Sequence, residues 1–328
     1  MTEDGTGQAG PMQGRLTRIA RGLRPGRGVF GADATPPGGL VHLRQIGEDN
    51  RTVLEMRVRA LATSAYLGER EALCRVLGRY KMFVDTRDRG LASHLMLDGY
   101  WEIWLTRFLA RAVQPGMACV DVGANLGYYA LLMADLVGPR GRVLAVEPNP
   151  AIARLLRSNL DVNGFSTRAE VRPMALGDGS LARARLAIPV GEPKNAALLP
   201  PEAGAGAAGG VEVVEVPVAA FDALDTGLPR IDLVKIDAEG AEDAILRGMA
   251  ATLRRDRPIL VLEFNPARPY DGHAVLAALL EIYGAMQELD IERGLRSCSA
   301  EAVMAATDRE DRLLVFGDAA RLEAAGAP

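Results

Sequence analysis

At 328 residues, 48% of them hydrophobic and 24% charged, the chain can form one large domain with an appendage or two modest ones, and its balance is that of an ordinary globular protein rather than a disordered one. Its 38 basic and 42 acidic side chains leave a formal charge of −4, which makes no electrostatic case for nucleic acid. No uninterrupted apolar stretch of about 18 residues occurs, so no transmembrane segment is expected; Cys74, Cys119 and Cys298 are far apart, show no CxxC spacing, and point to a reducing compartment, most simply the cytoplasm.

Residues 1–38 are rich in Gly, Pro and Arg, with Arg15, Arg18, Arg21, Arg24 and Arg27 three apart, and they read as a disordered tail. Residues 39–99 read as a mainly helical extension, a cap over a site or a contact in a homo-oligomer. Val53, Leu54, Met56, Val58 and Leu61, then Leu73, Val76 and Leu77, recur at helical spacing between residues 49 and 79. A short strand is expected at Tyr80–Asp85 and a helix over 100–113, closed by Pro115-Gly116.

The pattern then changes. An apolar run at 117–122 stops in a glycine loop, an apolar helix follows over 128–137, and a strand at Arg142–Val146 ends at Glu147-Pro148-Asn149. A helix over 151–163 is closed by Gly164, so the order is that of a parallel βαβ unit. Two strands at 181–190 and 211–218 flank a Gly/Ala-rich run around 203–210, read as a tolerated loop on an added hairpin, with a substrate flap as the other possibility. Strands at 231–237 and 258–264, helices over 241–253 and 273–283, and terminal strands at 286–290 and 313–316 complete an α/β fold over 100–320.

In the loop Asp121-Val122-Gly123-Ala124-Asn125-Leu126-Gly127, small residues let a ligand approach the backbone, and Asp121 at the strand end offers a carboxylate to an ammonium group. The spacing is Asp-x-Gly-x-x-x-Gly, and Ala124-Asn125 stands where a pyrophosphate loop wants a second glycine. Such a loop suits a sulfonium amino acid better than a dinucleotide. Glu147, twenty residues after Gly127, is placed to accept both ribose hydroxyls of an adenosine ligand. In the strand at 231–237, alternation puts Lys235 and Asp237 on one side, and Asp237 and Glu239 at the C-terminal mouth of the sheet, where α/β ligands bind.

Together with Met174-Ala175-Leu176-Gly177-Asp178, Asn159-Leu160-Asp161-Val162-Asn163-Gly164 and the long string from Ile231 to Glu242, these blocks resemble the FkbM family of S-adenosylmethionine-dependent methyltransferases over roughly half the chain, from about Tyr100 to about Asn265. The resemblance implies a class I methyltransferase fold: a doubly wound, mostly parallel, Rossmann-like sheet with a C-terminal antiparallel strand. It implies S-adenosylmethionine as cofactor and O-methylation of a hydroxyl on a sugar or secondary metabolite, so a small-molecule or glycan acceptor. Carried over by position, Asp121, Gly123, Asn125 and Gly127 would hold the methionine part, Glu147 the ribose, and Asn149, Met174 and Ala175 the adenine. Asp237 is the first candidate to position or deprotonate the acceptor and Glu239 the second; Lys235 is the third catalytic candidate, with a structural ion pair to either carboxylate as its other reading, and no metal-ligand spacing is present. Glu263, His273, Glu102 and Asp178 are weaker candidates, and Trp101 and Trp104 read as packing residues. An NAD-dependent oxidoreductase and a non-catalytic partner-binding module on the same fold stay open at this point.

Overall fold

The computed structural model describes residues 39–200, 210–306 and 310–326. The expected tail at 1–38 and most of the Gly/Ala-rich run therefore lie outside the described residues. From Leu40 onward the chain forms one unit. It begins with helices α1 (Leu43–Glu48) and α2 (Arg51–Leu61), an antiparallel sheet of β1 (Ser64–Gly68), β2 (Glu71–Val76) and β3 (Tyr80–Asp85), and helices α3 (Leu91–Leu97) and α4 (Ile103–Ala112). There follow β4 (Ala118–Val122), α5 (Tyr128–Leu136), β5 (Arg142–Val146), α6 (Pro150–Val162) and β6 (Ala169–Arg172). Next come β7 (Ala175–Leu176), β8 (Arg183–Pro189), β9 (Ala197–Leu198) and β10 (Val211–Ala219). The last third holds β11 (Leu233–Ile236), α7 (Glu242–Gly248), α8 (Ala250–Asp256), β12 (Ile259–Phe264), α9 (Gly272–Tyr283), β13 (Gln287–Asp290), β14 (Gly294–Ser297), α10 (Ala300–Met304), β15 (Arg312–Phe316) and α11 (Ala319–Gly326).

The expected helix over 49–79 ends at Leu61. Beyond it the apolar residues serve a strand: Ala72, Cys74 and Val76 alternate with half-exposed neighbours, burying one face of β2. Leu73, Val76 and Leu77 mimic helical spacing only because Leu77 lies in the next turn, where Leu77 and Gly78 both take positive φ (52° and 58°). The 39–99 stretch is thus mixed rather than mainly helical. Asn159, fully buried on α6, fixes this small sheet to the larger one. Its Oδ1 accepts the Phe83 N–H at 2.6 Å, and its Nδ2 donates to the carbonyls of Phe83 (3.1 Å) and Leu126 (2.8 Å), so one side chain ties β3, α6 and the glycine loop together.

The main sheet has the order β14-β13-β15-β12-β11-β4-β5-β6. Strands β4, β5, β6, β11 and β12 are parallel, and β15 enters antiparallel between β12 and β13. This is the expected doubly wound sheet with its antiparallel C-terminal strand. Strands β11 and β12 are apolar almost throughout because helices cover both faces, and each buried Val, Leu or Ile contributes roughly 1.5–3 kcal/mol. After β4 the chain winds outward through β5 and β6, then crosses back to β11 on the other side. The C-terminal ends of β4 and β11 therefore form the switch point where α/β sheets open a crevice.

The hairpin of β8 and β10 joins β7 and β9 in a second sheet ordered β7-β10-β8-β9. The helix expected over 241–253 is broken at Met249 into α7 and α8. Among the described residues no helix is long and apolar enough to cross a membrane. Cys74 and Cys119 are buried and Cys298 is half-buried, all unpaired.

Candidate active site

At the switch point lies a cleft with about 1060 Å³ of empty volume, part of it open to solvent, walled by the 122–129 loop, Glu147, Met174 to Leu176, Lys235 to Glu239 and Glu263. Gly123 (φ +71°) marks how closely the two strand ends meet: a Cβ there would stand 1.7 Å from the Asp237 carbonyl oxygen. At Gly127 (φ +89°) a Cβ would stand 2.2 Å from Leu156 Cδ1. Both glycines are thus required by protein packing.

From Gly123 to Gly127 every backbone N–H is already used within the protein. Gly123 and Ala124 donate to the Val146 carbonyl, each at 3.0 Å, and Gly127 donates to that of Ala124 at 2.9 Å. Asn125, in the left-handed region (φ 50°), donates its N–H to Glu147 Oε2 at 2.8 Å, and its side chain accepts the Leu126 N–H at 2.7 Å. A pyrophosphate would find no free N–H between Gly123 and Gly127. The loop instead orients Glu147, whose other oxygen accepts the Asn149 N–H at 2.8 Å. Burial pushes the Glu147 carboxyl up to about 7, with these two N–H groups pulling against it.

Of the residues singled out from sequence, Gly123, Asn125, Glu147, Met174, Ala175, Lys235, Asp237 and Glu239 line the cleft. Gly127 stands at the start of α5, behind the wall. Asn149 is buried and caps α6, accepting from the N–H groups of Ala151 (3.1 Å) and Ile152 (3.4 Å). Asp121 is fully buried, and neither of its oxygens makes a hydrogen bond of normal geometry. The ammonium near it belongs to the protein itself: Lys235, its cross-strand partner in register, at 3.7 Å. Burial pushes the Asp121 carboxyl up to about 6 against the pull of Lys235.

Lys235 has only 3% of its side chain exposed and also donates to Asp237 Oδ2 at 3.1 Å, as the strand alternation requires. Burial works against its charge, but Asp237 and Asp121 outweigh burial and raise it, so it stays an ammonium. Asp237 keeps 32% of its side chain open, far more than Lys235. Burial acts to raise Asp237, yet Lys235 and a hydrogen bond with Glu263 hold it below the usual carboxylate range. Glu263 is displaced the other way, well upward, by burial and the adjacent Asp237 charge. The two carboxyls therefore titrate as a pair, with Asp237 the more acidic and Glu263 the less.

Asp237, Glu239 and Glu263 bring carboxylate oxygens within 4.8 Å of one another. Their countercharges are Lys235 and Arg268, the latter 2.8 Å from Glu239 and 3.9 Å from Glu263. Glu239 is thus engaged, leaving Asp237 the freer carboxylate.

Glu102 and Trp101 also line the cleft, and Tyr129 donates its hydroxyl to Glu102 Oε2 at 2.6 Å. Glu102 and Glu263 further belong to a second, outer cleft with Trp104, Glu288, Asp290 and Arg312. Asp178 pairs with Arg247 outside the cleft wall, and His273 is exposed at the start of α9. Sequence reasoning missed Lys194, Leu186 and Leu198, brought over the cleft by the second sheet. The lysine had one signal, being one of only three in the chain.

Residues 121–293, just over half of the chain, match the methyltransferase FkbM domain. The chain belongs to the FkbM methyltransferase family. Its cofactor is S-adenosylmethionine. Curated relatives include a protein-L-isoaspartate O-methyltransferase of Aeropyrum pernix, 48% identical over 67 residues (20% of this chain, 25% of the relative). Another is the methyltransferase sdnD of Sordaria araneosa, 31% identical over 155 residues (40% of this chain, 59% of the relative). The chain thus spans about a quarter of the first and under two thirds of the second. Among solved structures, an FkbM methyltransferase of Methylobacillus flagellatus is similar at 20% identity and a TM-score of 0.40, covering 62% of this chain and 44% of that one.

The residues fit this cofactor. Glu147 faces the cleft with one lone pair of each oxygen occupied by an N–H, leaving the others for a diol, and the cleft is rich in carboxylates suited to a sulfonium.

Proposed function

We propose that this methyltransferase methylates a hydroxyl of a small, hydroxyl-rich acceptor, a sugar or secondary metabolite, with Asp237 as the proton acceptor. The observation that carries the reading is Asp237 itself: an ionised carboxylate, one third open to the cleft and held by a buried ammonium.

When bound, S-adenosylmethionine supplies a methyl carbon on a positively charged sulfur. Glu147 would hold its ribose, and Met174 and Ala175 would flank its adenine. The acceptor approaches from the outer cleft, whose carboxylates and Arg312 suit a polyhydroxylated molecule, and passes between Glu102 and Glu263. Asp237 would hydrogen-bond the acceptor hydroxyl and take its proton, leaving the oxygen free to receive the methyl group that the bound donor would supply. Lys235 holds Asp237 ionised beforehand and fixes its direction. Glu263, the less acidic of the two, shares a hydrogen bond with Asp237 that limits repulsion between the carboxyls. Glu239 is the second carboxylate of the site, positioned through Arg268.

Transfer of a labelled methyl group from S-adenosylmethionine to metabolite fractions separated by class tests this. Label in a base-stable ether is expected. Label only in base-labile esters, or on nitrogen, would overturn the reading.

A further inference from the structure

Lys194 sits in a short 3₁₀ turn, Pro193–Asn195, between β8 and β9. Its stem crosses the start of α3, where Gly90 makes room: a Cβ there would stand 2.7 Å from Lys194 Cε and 3.0 Å from Cδ. Its ammonium lies 5.5 Å from the centroid of the Trp101 ring, on the cleft wall. A cation over an aromatic face is held in direction while its N–H groups stay available. No carboxylate lies within 4.0 Å of it among the described residues, whereas Lys235 and Arg268 each have carboxylate partners inside that distance. Asp88 and Glu102 act on it only from farther away.

The methyl donor is a zwitterion as well as a sulfonium, so its α-carboxylate needs a place. The rest of the wall presents Glu102, Glu147, Asp237, Glu239 and Glu263, and the loop N–H groups are all spent on Val146, Glu147, Asn125 and Ala124. We infer that Lys194 receives the α-carboxylate of the methyl donor, with Trp101 as the platform that aims it. The second sheet then contributes a binding residue rather than only covering the cleft. This assignment rests on the methyl-donor reading of the cleft.

Calorimetry with two adenosine ligands tests it: S-adenosylhomocysteine, which carries the carboxylate, and methylthioadenosine, which does not. Lys194→Met is expected to weaken S-adenosylhomocysteine about tenfold or more and to leave methylthioadenosine within twofold; Lys194→Arg should restore most of the loss. Because Lys194 is half-exposed, the melting temperature of both variants should match that of the parent protein, so lost binding is not lost folding. Unchanged affinity for S-adenosylhomocysteine, the result expected if Lys194 serves an anionic acceptor, would overturn the assignment; so would equal loss for both ligands. A parent protein that binds neither ligand would instead remove the donor reading itself.

Discussion

Asp237→Asn is expected to lower kcat by ~1000-fold, within the range measured for removal of a positioned general base, while S-adenosylhomocysteine affinity changes by less than twofold. The substitution keeps size and shape, and the amide oxygen can still face Lys235. What disappears is the anion that takes the proton. An alcohol is a poor nucleophile until that proton has somewhere to go, and no other carboxylate of the site is equally placed: Glu239 is bound to Arg268 at 2.8 Å, and burial beside Asp237 displaces Glu263 upward. The measurement is the initial rate on the acceptor class returned by the labelled-methyl screen, with calorimetry of donor binding alongside. A variant that retains a tenth or more of the parent rate would exclude Asp237 as the base.

Lys235→Met should cost about 3–5 kcal/mol of folding stability, the range for removing one partner of a buried ion pair, read as a lower midpoint in urea. Methionine fills the stem's volume but leaves Asp121, fully buried, and Asp237 without their shared ammonium. The pH dependence separates this from a packing defect. In the variant the Asp121 carboxyl, already raised to about 6 by burial, rises further, and Asp237 moves from below its unfolded value to above it. The folded form then binds more protons than the unfolded one, so stability is regained as pH falls from about 7 towards 5. A packing defect would show the same loss at both pH values.

Much of this site was legible in the sequence because buried parallel strands write themselves as apolar runs ended by a polar residue. Val120-Asp121-Val122, Ala145-Val146-Glu147 and Val234-Lys235-Ile236-Asp237 are three such runs, and period-two alternation alone put Lys235 beside Asp237. What stayed hidden depends on long-range packing. The capping of α6 by Asn149, beside Glu147, was one such feature. The close approach of Leu156 to Gly127 was another. The meeting of Trp101 with Lys194 joins two distant turns through a sheet whose strands have little pattern of their own. The β1–β2 hairpin was hidden differently, by three apolar residues at helical spacing across a turn.

The most direct test of the donor site is a calorimetric titration of S-adenosylhomocysteine against the full chain, with NAD as the competing ligand. One-to-one binding of S-adenosylhomocysteine, weakened by Glu147→Gln, and no heat from NAD is the result the Glu147 geometry and the spent loop N–H groups predict. Binding of NAD in preference to S-adenosylhomocysteine would contradict it.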